Sequence, residues 1–153
     1  MYLNCHSYYS LRYGIISEKE IVEFAQAQKI PKIALTDINN TSGCLNFVRL
    51  AQKVGINPVI GVDFRTGAQQ NFVALAKNNQ GFKEINDFLS FHSHHKIEIP
   101  QKAPLFKEVF IIYPFSKIDL TQIDNLQPNE YIGIHHTELN KLTFTDIEKS
   151  YAH

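Results

Sequence analysis

The first two-thirds of the chain alternate compact apolar runs with segments that have one apolar face. Residues 1–5, 32–36 and 58–64 form apolar runs of the length of buried strands. The two segments between them repeat apolar residues every third or fourth position, which is the period of a helix with one buried side. This alternation of strands and helices predicts a parallel α/β unit.

Local signals mark where the two predicted helices begin and end. Ser17 and Glu20 have the spacing of a capping box, in which each side chain bonds the backbone of the other residue. Pro31 ends the first helix. Ser42 begins the second helix, and Gly55 closes it.

The second half of the chain is less regular and shows no internal repeat. A strand that pairs back onto the run at 58–64 and a further helix are its clearest features. The predicted elements are a turn at 66–68, a strand at 71–77, a helix from 79 through Leu89, a loop from His92 to Lys107, strands at 109–113 and 131–134, and weak helical signals over 139–153.

Composition excludes several classes of protein. The chain has 153 residues, with 44% hydrophobic and 20% charged residues, which is typical of one folded domain. Fifteen basic residues balance fifteen acidic ones, so overall charge gives no attraction to a nucleic-acid backbone. Cys5 and Cys44 form no Cys-x-x-Cys pair, which argues against a disulfide framework or a zinc ribbon. Without a signal peptide or a long apolar segment, we expect a cytoplasmic protein and no membrane contact.

Three polar residues lie at the ends of the first three predicted strands. They are His6, Asp37 and Asp63. Because the carboxyl ends of parallel strands meet at one edge of a sheet, we expect these side chains to form one site. Imidazole and carboxylate groups are ligands of Zn²⁺ and Mn²⁺, so the three residues are candidate metal ligands.

Four short motifs follow one another in a fixed order along the chain: Asn4-Cys5-His6-Ser7, Tyr9-Ser10-Leu11, Leu35-Thr36-Asp37 and Ile60-Gly61-Val62-Asp63. This order resembles the PHP domain (polymerase and histidinol phosphatase). More narrowly, it is similar to the version that opens the alpha subunit of bacterial DNA polymerase III, which continues with a segment like 73–82. The resemblance covers residues 2–91 closely and 92–142 more loosely, so we interpret 1–153 as a single PHP-like domain or an amino-terminal fragment of one.

The resemblance implies a fold and a metal site. The family fold is a distorted (β/α)7 barrel, which we expect to be incomplete in this chain. Active members hold up to three metal ions at the strand carboxyl ends, through His-x-His, Asp-His and Glu segments and later ligands. The whole subunit that the chain resembles is a DNA-directed DNA polymerase, a nucleotidyltransferase whose polymerising residues lie far downstream.

The chain departs from the family's ligand pattern at three positions. Asn4 stands where the first His of the His-x-His motif belongs, Ile38 stands where the His of the Asp-His motif belongs, and Asp63 replaces the usual Glu. His6 matches the second His of the first motif. Because a zinc site needs about four ligands, we expect no metal cofactor here, although Zn²⁺ or Mn²⁺ would be the metal of an active site. In the inactive interpretation, His6 and Asp37 are hydrogen-bonded to each other or to neighbouring residues, Ser7 and Thr36.

Three functional hypotheses follow from the resemblance. The first is a degenerate, non-catalytic structural and docking module, with the rest of the polymerase subunit, a proofreading exonuclease subunit and DNA (through the full polymerase) as partners. The alternative is an active metal-dependent phosphoesterase, acting as a 3′–5′ exonuclease, pyrophosphatase or phosphatase. A free-standing enzyme of the histidinol-phosphatase type is the third, and Asn4, Ile38 and the segment 73–82 argue against it.

The other histidines are weaker candidates. We expect the first group, His92, His94 and His95, to be exposed imidazoles near a helix end. Neighbouring side chains on a strand point in opposite directions, so at most one of His135 and His136 faces a site.

Overall fold

The computed structural model describes residues 2–117, 125–138 and 140. Eight helices and strands of four or more residues make up this part of the chain. They are α1 Glu18–Ala27, β1 Lys32–Ile38, α2 Cys44–Lys53, β2 Asn57–Thr66, β3 Gln69–Ala76, α3 Asn79–His95, β4 Val109–Pro114 and β5 Glu130–Gly133.

The five strands form one mixed sheet in the order β1-β2-β3-β4-β5. β1 pairs with β2, and β4 with β5, in parallel, whereas β3 is antiparallel to both of its neighbours. Four strands therefore run in one direction, and their carboxyl ends lie at the same edge. The expected α/β class is confirmed, and within the described residues the sheet is open, with β1 and β5 at its edges.

All three helices cover the same face of the sheet. α1 and α2 bury Ile33 and Leu35 of β1, while α3 packs over Phe64 of β2 and Phe72 of β3. Residues that alternate with these on the strands form the other face, where a smaller apolar cluster is centred on Ala34, Val73 and Leu75. Side chains alternate along strands, so a one-residue step along β1 or β2 moves a side chain between faces.

The capping box of α1 is confirmed. Ser17 Oγ accepts from Glu20 N, and the Glu20 carboxylate accepts from Ser17 N at 2.7 Å. The hydrogen bonds that Ser17 N and Ser17 Oγ donate to the Glu20 carboxylate lower the pKa of Glu20. α2 begins one residue after Gly43 rather than at Ser42, and no side chain caps it.

The prediction of a strand at 1–5 is wrong, although the segment lies beside β1. From Tyr2 onward, this segment makes only an isolated parallel bridge with Ile33. It nevertheless lies along the outer edge of β1, because Ala34 N donates to Tyr2 O and Thr36 N donates to Cys5 O. The next residue, His6, is thereby placed at the carboxyl end of β1. Met1 lies outside the described residues.

α3 is longer than the sequence indicated, because the expected loop at 92–107 begins only after His95. The apolar face of the helix continues through His92, which is buried and packs on the Phe88 ring with 4.3 Å between ring centroids. Lys96, with a left-handed φ of 54°, then ends the helix. The weak helical signals at 139–153 fall outside the described residues, apart from residue 140.

No helix in the described part of the chain is long and apolar enough to cross a membrane.

Candidate functional site

The candidate site lies at the carboxyl ends of β1 and β2, beneath the loop that follows His6. This loop is closed by its own backbone, with Tyr8 N donating to Ile16 O at 2.8 Å and Gly14 N donating to Ser10 O at 2.9 Å. A side chain at Gly14 would lie only 1.7 Å from Ser7 O, so the tight closure requires glycine. The loop thus holds Ser7 and Ser10 in fixed positions over the end of β1.

Asp37 is fully buried and is satisfied entirely by neutral donors from that loop. Ser7 donates to it twice, from its backbone N at 2.7 Å and from Oγ at 2.7 Å, and Ser10 Oγ donates at 2.6 Å. Ser10 Oγ also accepts from Ile38 N at 3.0 Å. Both carboxylate oxygens are therefore occupied, and Asp37 joins the loop to β1. The expected hydrogen bond between Asp37 and Ser7 is confirmed.

The start of α2 packs closely against Asp37. A Cβ added at Gly43 would lie 3.2 Å from Asp37 Oδ2 and 3.2 Å from Glu18, the buried first residue of α1. Burial, together with the negative charges of Asp37 and Glu18, raises the pKa of Cys44 to about 12. The same effect of burial raises the pKa of Cys5 to about 11, so neither cysteine offers a thiolate at neutral pH.

Asp63 is also fully buried, but charged or chargeable groups hold it. Its Oδ2 accepts from Arg65 Nε at 3.1 Å and Arg65 Nη2 at 2.8 Å, and lies 3.0 Å from His6 Nε2. Burial alone would raise the pKa of Asp63, but the hydrogen bonds from His6 and Arg65 and the Arg65 charge outweigh it, with a smaller contribution from Gln70, and lower the pKa. Oδ1 makes no hydrogen bond of normal geometry.

Arg65 is the residue at this edge that the sequence did not reveal. Its guanidinium stacks on the Tyr13 ring at 4.5 Å, and its backbone is bonded to the Asn39 side chain through both N and O, at 2.9 and 2.8 Å. Although burial lowers the pKa of Arg65, its contacts with Asp63 raise it overall. The spacing between Asp63 and Arg65 could have revealed this contact, since residues two apart on a strand lie on one face.

The structure brings His6 and Asp63 together but holds Asp37 elsewhere. In the register of β1 and β2, Asp37 pairs with Val62, whereas Ile38 pairs with Asp63. Asp37 therefore shares the helix-covered face, and Asp63 lies on the opposite face beside Ile38. The three residues lie at the predicted edge, but the alternation of side chains divides them between two faces.

The residues present do not fit the metal cluster of the family that the sequence resembles. Asn4 Oδ1 accepts from Thr36 Oγ1 at 2.8 Å, and Ile38 has no donor atom beside Asp63. Across the described ranges, no group of three or more His, Cys, Asp and Glu side chains is close enough to hold a metal ion. A catalytic zinc site needs three protein ligands and an open position, and only His6 and Asp63 are adjacent here.

The other histidines in the described part of the chain contact other parts of the molecule. His94 and His95 are exposed at the end of α3 as expected, whereas His92 is buried. His135 follows β5, where its Nδ1 lies 2.8 Å from Thr137 Oγ1 and its ring stacks on that of His136. The contacts of His92, His95 and His135 are thus with residues near them in sequence rather than with Asp63.

The chain belongs to the PHP domain family, whose sequence pattern matches residues 3–145. Within that family it is similar to DNA polymerase III alpha subunits. It is 36% identical over 83 residues to the subunit from Ureaplasma parvum, which covers 54% of this chain. It is 29% identical over 96 residues to the subunit from Escherichia coli K12, which covers 59% of this chain. The chain spans 8% of the length of each of these relatives.

A solved structure supports the fold. The protein is described as a metal-dependent phosphoesterase from Bifidobacterium adolescentis, and it aligns with a TM-score of 0.58 over 97% of this chain and 84% of its own. At 10% sequence identity, this likeness concerns the fold alone. The sheet and its three helices therefore represent the PHP type of α/β architecture.

Proposed function

We propose that this domain is a degenerate, non-catalytic PHP module of a polymerase III alpha-type subunit, with a structural and subunit-docking role. The observation that supports the proposal is the state of the two carboxylates. Asp37 is saturated by serine and backbone donors, and Asp63 is paired with Arg65. Each carboxylate is thus used to hold the fold together.

The chemistry of the lost positions supports the same proposal. Hydrolysis in a metal cluster depends on ligands that fix two or more ions and leave a position for water. Asn4 offers a weak amide oxygen that is already bonded to Thr36, and Ile38 offers an alkyl group. Because Asp37 faces the helices, it does not compensate for these losses.

The partners in this proposal are those expected of a DNA polymerase III alpha subunit. The rest of an alpha-type subunit would contact the domain directly, and a proofreading exonuclease subunit would dock on it. DNA would be engaged through the complete polymerase, in the cytoplasm. The support is the similarity to subunits named DNA polymerase III subunit alpha, together with a net charge of zero that gives this domain no general attraction to DNA.

A metal-dependent phosphoesterase, acting as a 3′–5′ exonuclease, pyrophosphatase or phosphatase, is the second candidate. Two observations favour it: the fold neighbour is described as such an enzyme, and Asp63 Oδ1 is buried without a hydrogen bond of normal geometry. Against it stands the small number of adjacent ligands, because among the described residues His6 is the one metal-ligating side chain beside Asp63.

Hydrolysis of p-nitrophenyl phosphate in the presence of Zn²⁺ or Mn²⁺ distinguishes the two candidates. The proposal expects no rate above that of buffer and metal alone. Metal-dependent hydrolysis that is abolished by His6→Ala and by Asp63→Ala would support the phosphoesterase instead. His94→Ala and Asp87→Ala are matched controls, because both residues are exposed on α3. Activity that survives His6→Ala and Asp63→Ala would indicate a contaminating enzyme, and loss of activity in the controls would show that the effect is not specific to the site.

A further inference from the structure

We propose that Arg65 is the resident cation of this edge and that it excludes divalent metals from Asp63. Replacing the lost ligands at positions 4 and 38 would then fail to create a metal site while Arg65 is present. This inference rests on the proposed absence of a metal site in the native chain. It adds a cause for that absence, namely the Arg65 side chain, which lies outside the family's ligand motifs.

The position of the guanidinium is the first reason. Arg65 Nε and Nη2 both donate to Asp63 Oδ2, at 3.1 and 2.8 Å, and the two side chains are only 12% and 0% exposed. A metal ion bound to that oxygen would lie within a few Å of a permanent positive charge, with little water between them to screen the repulsion.

The rigidity of the arginine is the second reason. The Tyr13 ring lies against its guanidinium, and Asn39 bonds its backbone on both sides. The ladder between β2 and β3 shifts register between Phe64 and Arg65. The residue left without a partner is Asn71 on β3, so the alternation along β2 continues and Arg65 shares the face of Asp63. Moving it aside for a metal would break several contacts at once.

The state of His6 is the third reason. Its Nε2 lies 3.0 Å from Asp63 Oδ2. Because an ionised carboxylate only accepts hydrogen bonds, this nitrogen carries the proton and has no free electron pair for a metal. His6 and Arg65 therefore both engage the same carboxylate oxygen, Asp63 Oδ2. A metal would have to displace the arginine and reverse the role of the histidine.

The test compares two ligand-restored variants of this chain. One contains Asn4→His and Ile38→His and keeps Asp63, and the other adds Arg65→Ala. Zn²⁺ binding is measured by isothermal titration calorimetry, and zinc per chain by elemental analysis. We expect Zn²⁺ to bind the second variant tighter by on the order of a hundredfold, the effect of removing one nearby charge. Equal affinities, or no binding by either variant, would overturn the inference.

Two additional variants secure the interpretation. Arg49→Ala in the ligand-restored background removes a positive charge from exposed Arg49 on α2, and it should leave Zn²⁺ affinity unchanged; a similar gain would overturn the inference. If Arg65→Ala does not fold by circular dichroism, Arg65→Gln replaces it, because glutamine keeps a long side chain against Tyr13 without the charge. Stoichiometric zinc in the native chain would contradict the proposed function, whereas tight binding by the variant that retains Arg65 would contradict only this inference.

Discussion

Asp37 and Asp63 are two fully buried carboxylates at one edge of the same sheet, and the protein satisfies them by different chemistry. Asp37, on the helix-covered face, receives three hydrogen bonds from Ser7 and Ser10. Asp63, on the other face, is bonded to a guanidinium and an imidazole. The first arrangement fixes a loop to a strand, and the second neutralises a charge.

In the family's motifs, the two acidic residues belong to one metal site, whereas in this chain Asp37 and Asp63 have separate partners. In the proposed function, the acidic residues that mark the family's site in the sequence stabilise the fold here, each through its own set of partners. The Asp37 arrangement depends on the geometry of the loop 7–16, whereas the Asp63 arrangement depends on one charge. We therefore expect the two regions to respond differently to substitution and to pH.

The largest effect should come from removing the charge beside Asp63. Arg65→Gln leaves the buried Asp63 carboxylate without the guanidinium charge that lowers its pKa, so we expect a loss of about 3 kcal/mol in the free energy of unfolding. Urea unfolding at neutral pH measures it. Adding Asp63→Asn to Arg65→Gln should recover more than half of the loss, because no buried charge then remains. Equal losses in the single and double variants would contradict the charge-neutralising role.

Ser10→Ala should have the next largest effect. It removes one donor from the Asp37 carboxylate and the acceptor for Ile38 N, so a loss of about 2 kcal/mol is expected from urea unfolding. Ser7→Ala should cost less, because the Ser7 backbone N–H still donates to Asp37. Ser90→Ala, at an exposed position on α3, is the control. A larger loss in Ser7→Ala than in Ser10→Ala would show that the loop is held in another way.

Acid should reduce the Asp63 contribution. Since the folded-state pKa of Asp63 is lowered, its ionised form stabilises the fold above the unfolded pKa of about 3.9, and this stability is lost as pH falls through the folded pKa. The stability difference between the native chain and Arg65→Gln should therefore shrink by about 1 kcal/mol between about pH 7 and about pH 3. A difference that grows in acid would contradict the assignment.

The smallest effect should come from Gly43→Ala. The added methyl group would lie 3.2 Å from Asp37 Oδ2 and from the Tyr9 ring, so these neighbours must shift slightly. We expect a loss of about 1 kcal/mol in thermal or urea unfolding. Leu45→Ala on the same turn, where the side chain is 73% exposed, should have almost no effect. A neutral Gly43→Ala would indicate that α2 packs more loosely on Asp37 than the structure shows.

Local chemistry in the sequence was sufficient for most of the fold. The capping box at Ser17 and Glu20, the apolar strands at 32–36 and 58–64 and the turn before β3 have clear local sequence signals, and the structure contains each of them. The extension of α3 to His95 was missed because it depends on packing against distant residues. His92 looks polar in the sequence, but in the fold it lies on the aromatic ring of Phe88.

The candidate site was predicted only in part. The meeting of strand ends located His6, Asp37 and Asp63 at one edge, which follows from the parallel pairing of β1 and β2. The pairing of Asp63 with Arg65 and the bonding of Asp37 to Ser10 depend on register and loop closure, which a single sequence does not specify. Counting alternate positions from Asp63 would nonetheless have shown that Arg65 shares its face.

The most direct measurement of the central claim is the metal content of the purified native chain. Elemental analysis after dialysis against metal-free buffer gives moles of zinc and manganese per mole of protein. The account predicts no stoichiometric metal, because Asn4 and Ile38 supply no imidazole and Arg65 occupies the carboxylate of Asp63. Two or more tightly held Zn²⁺ or Mn²⁺ ions per chain would contradict it.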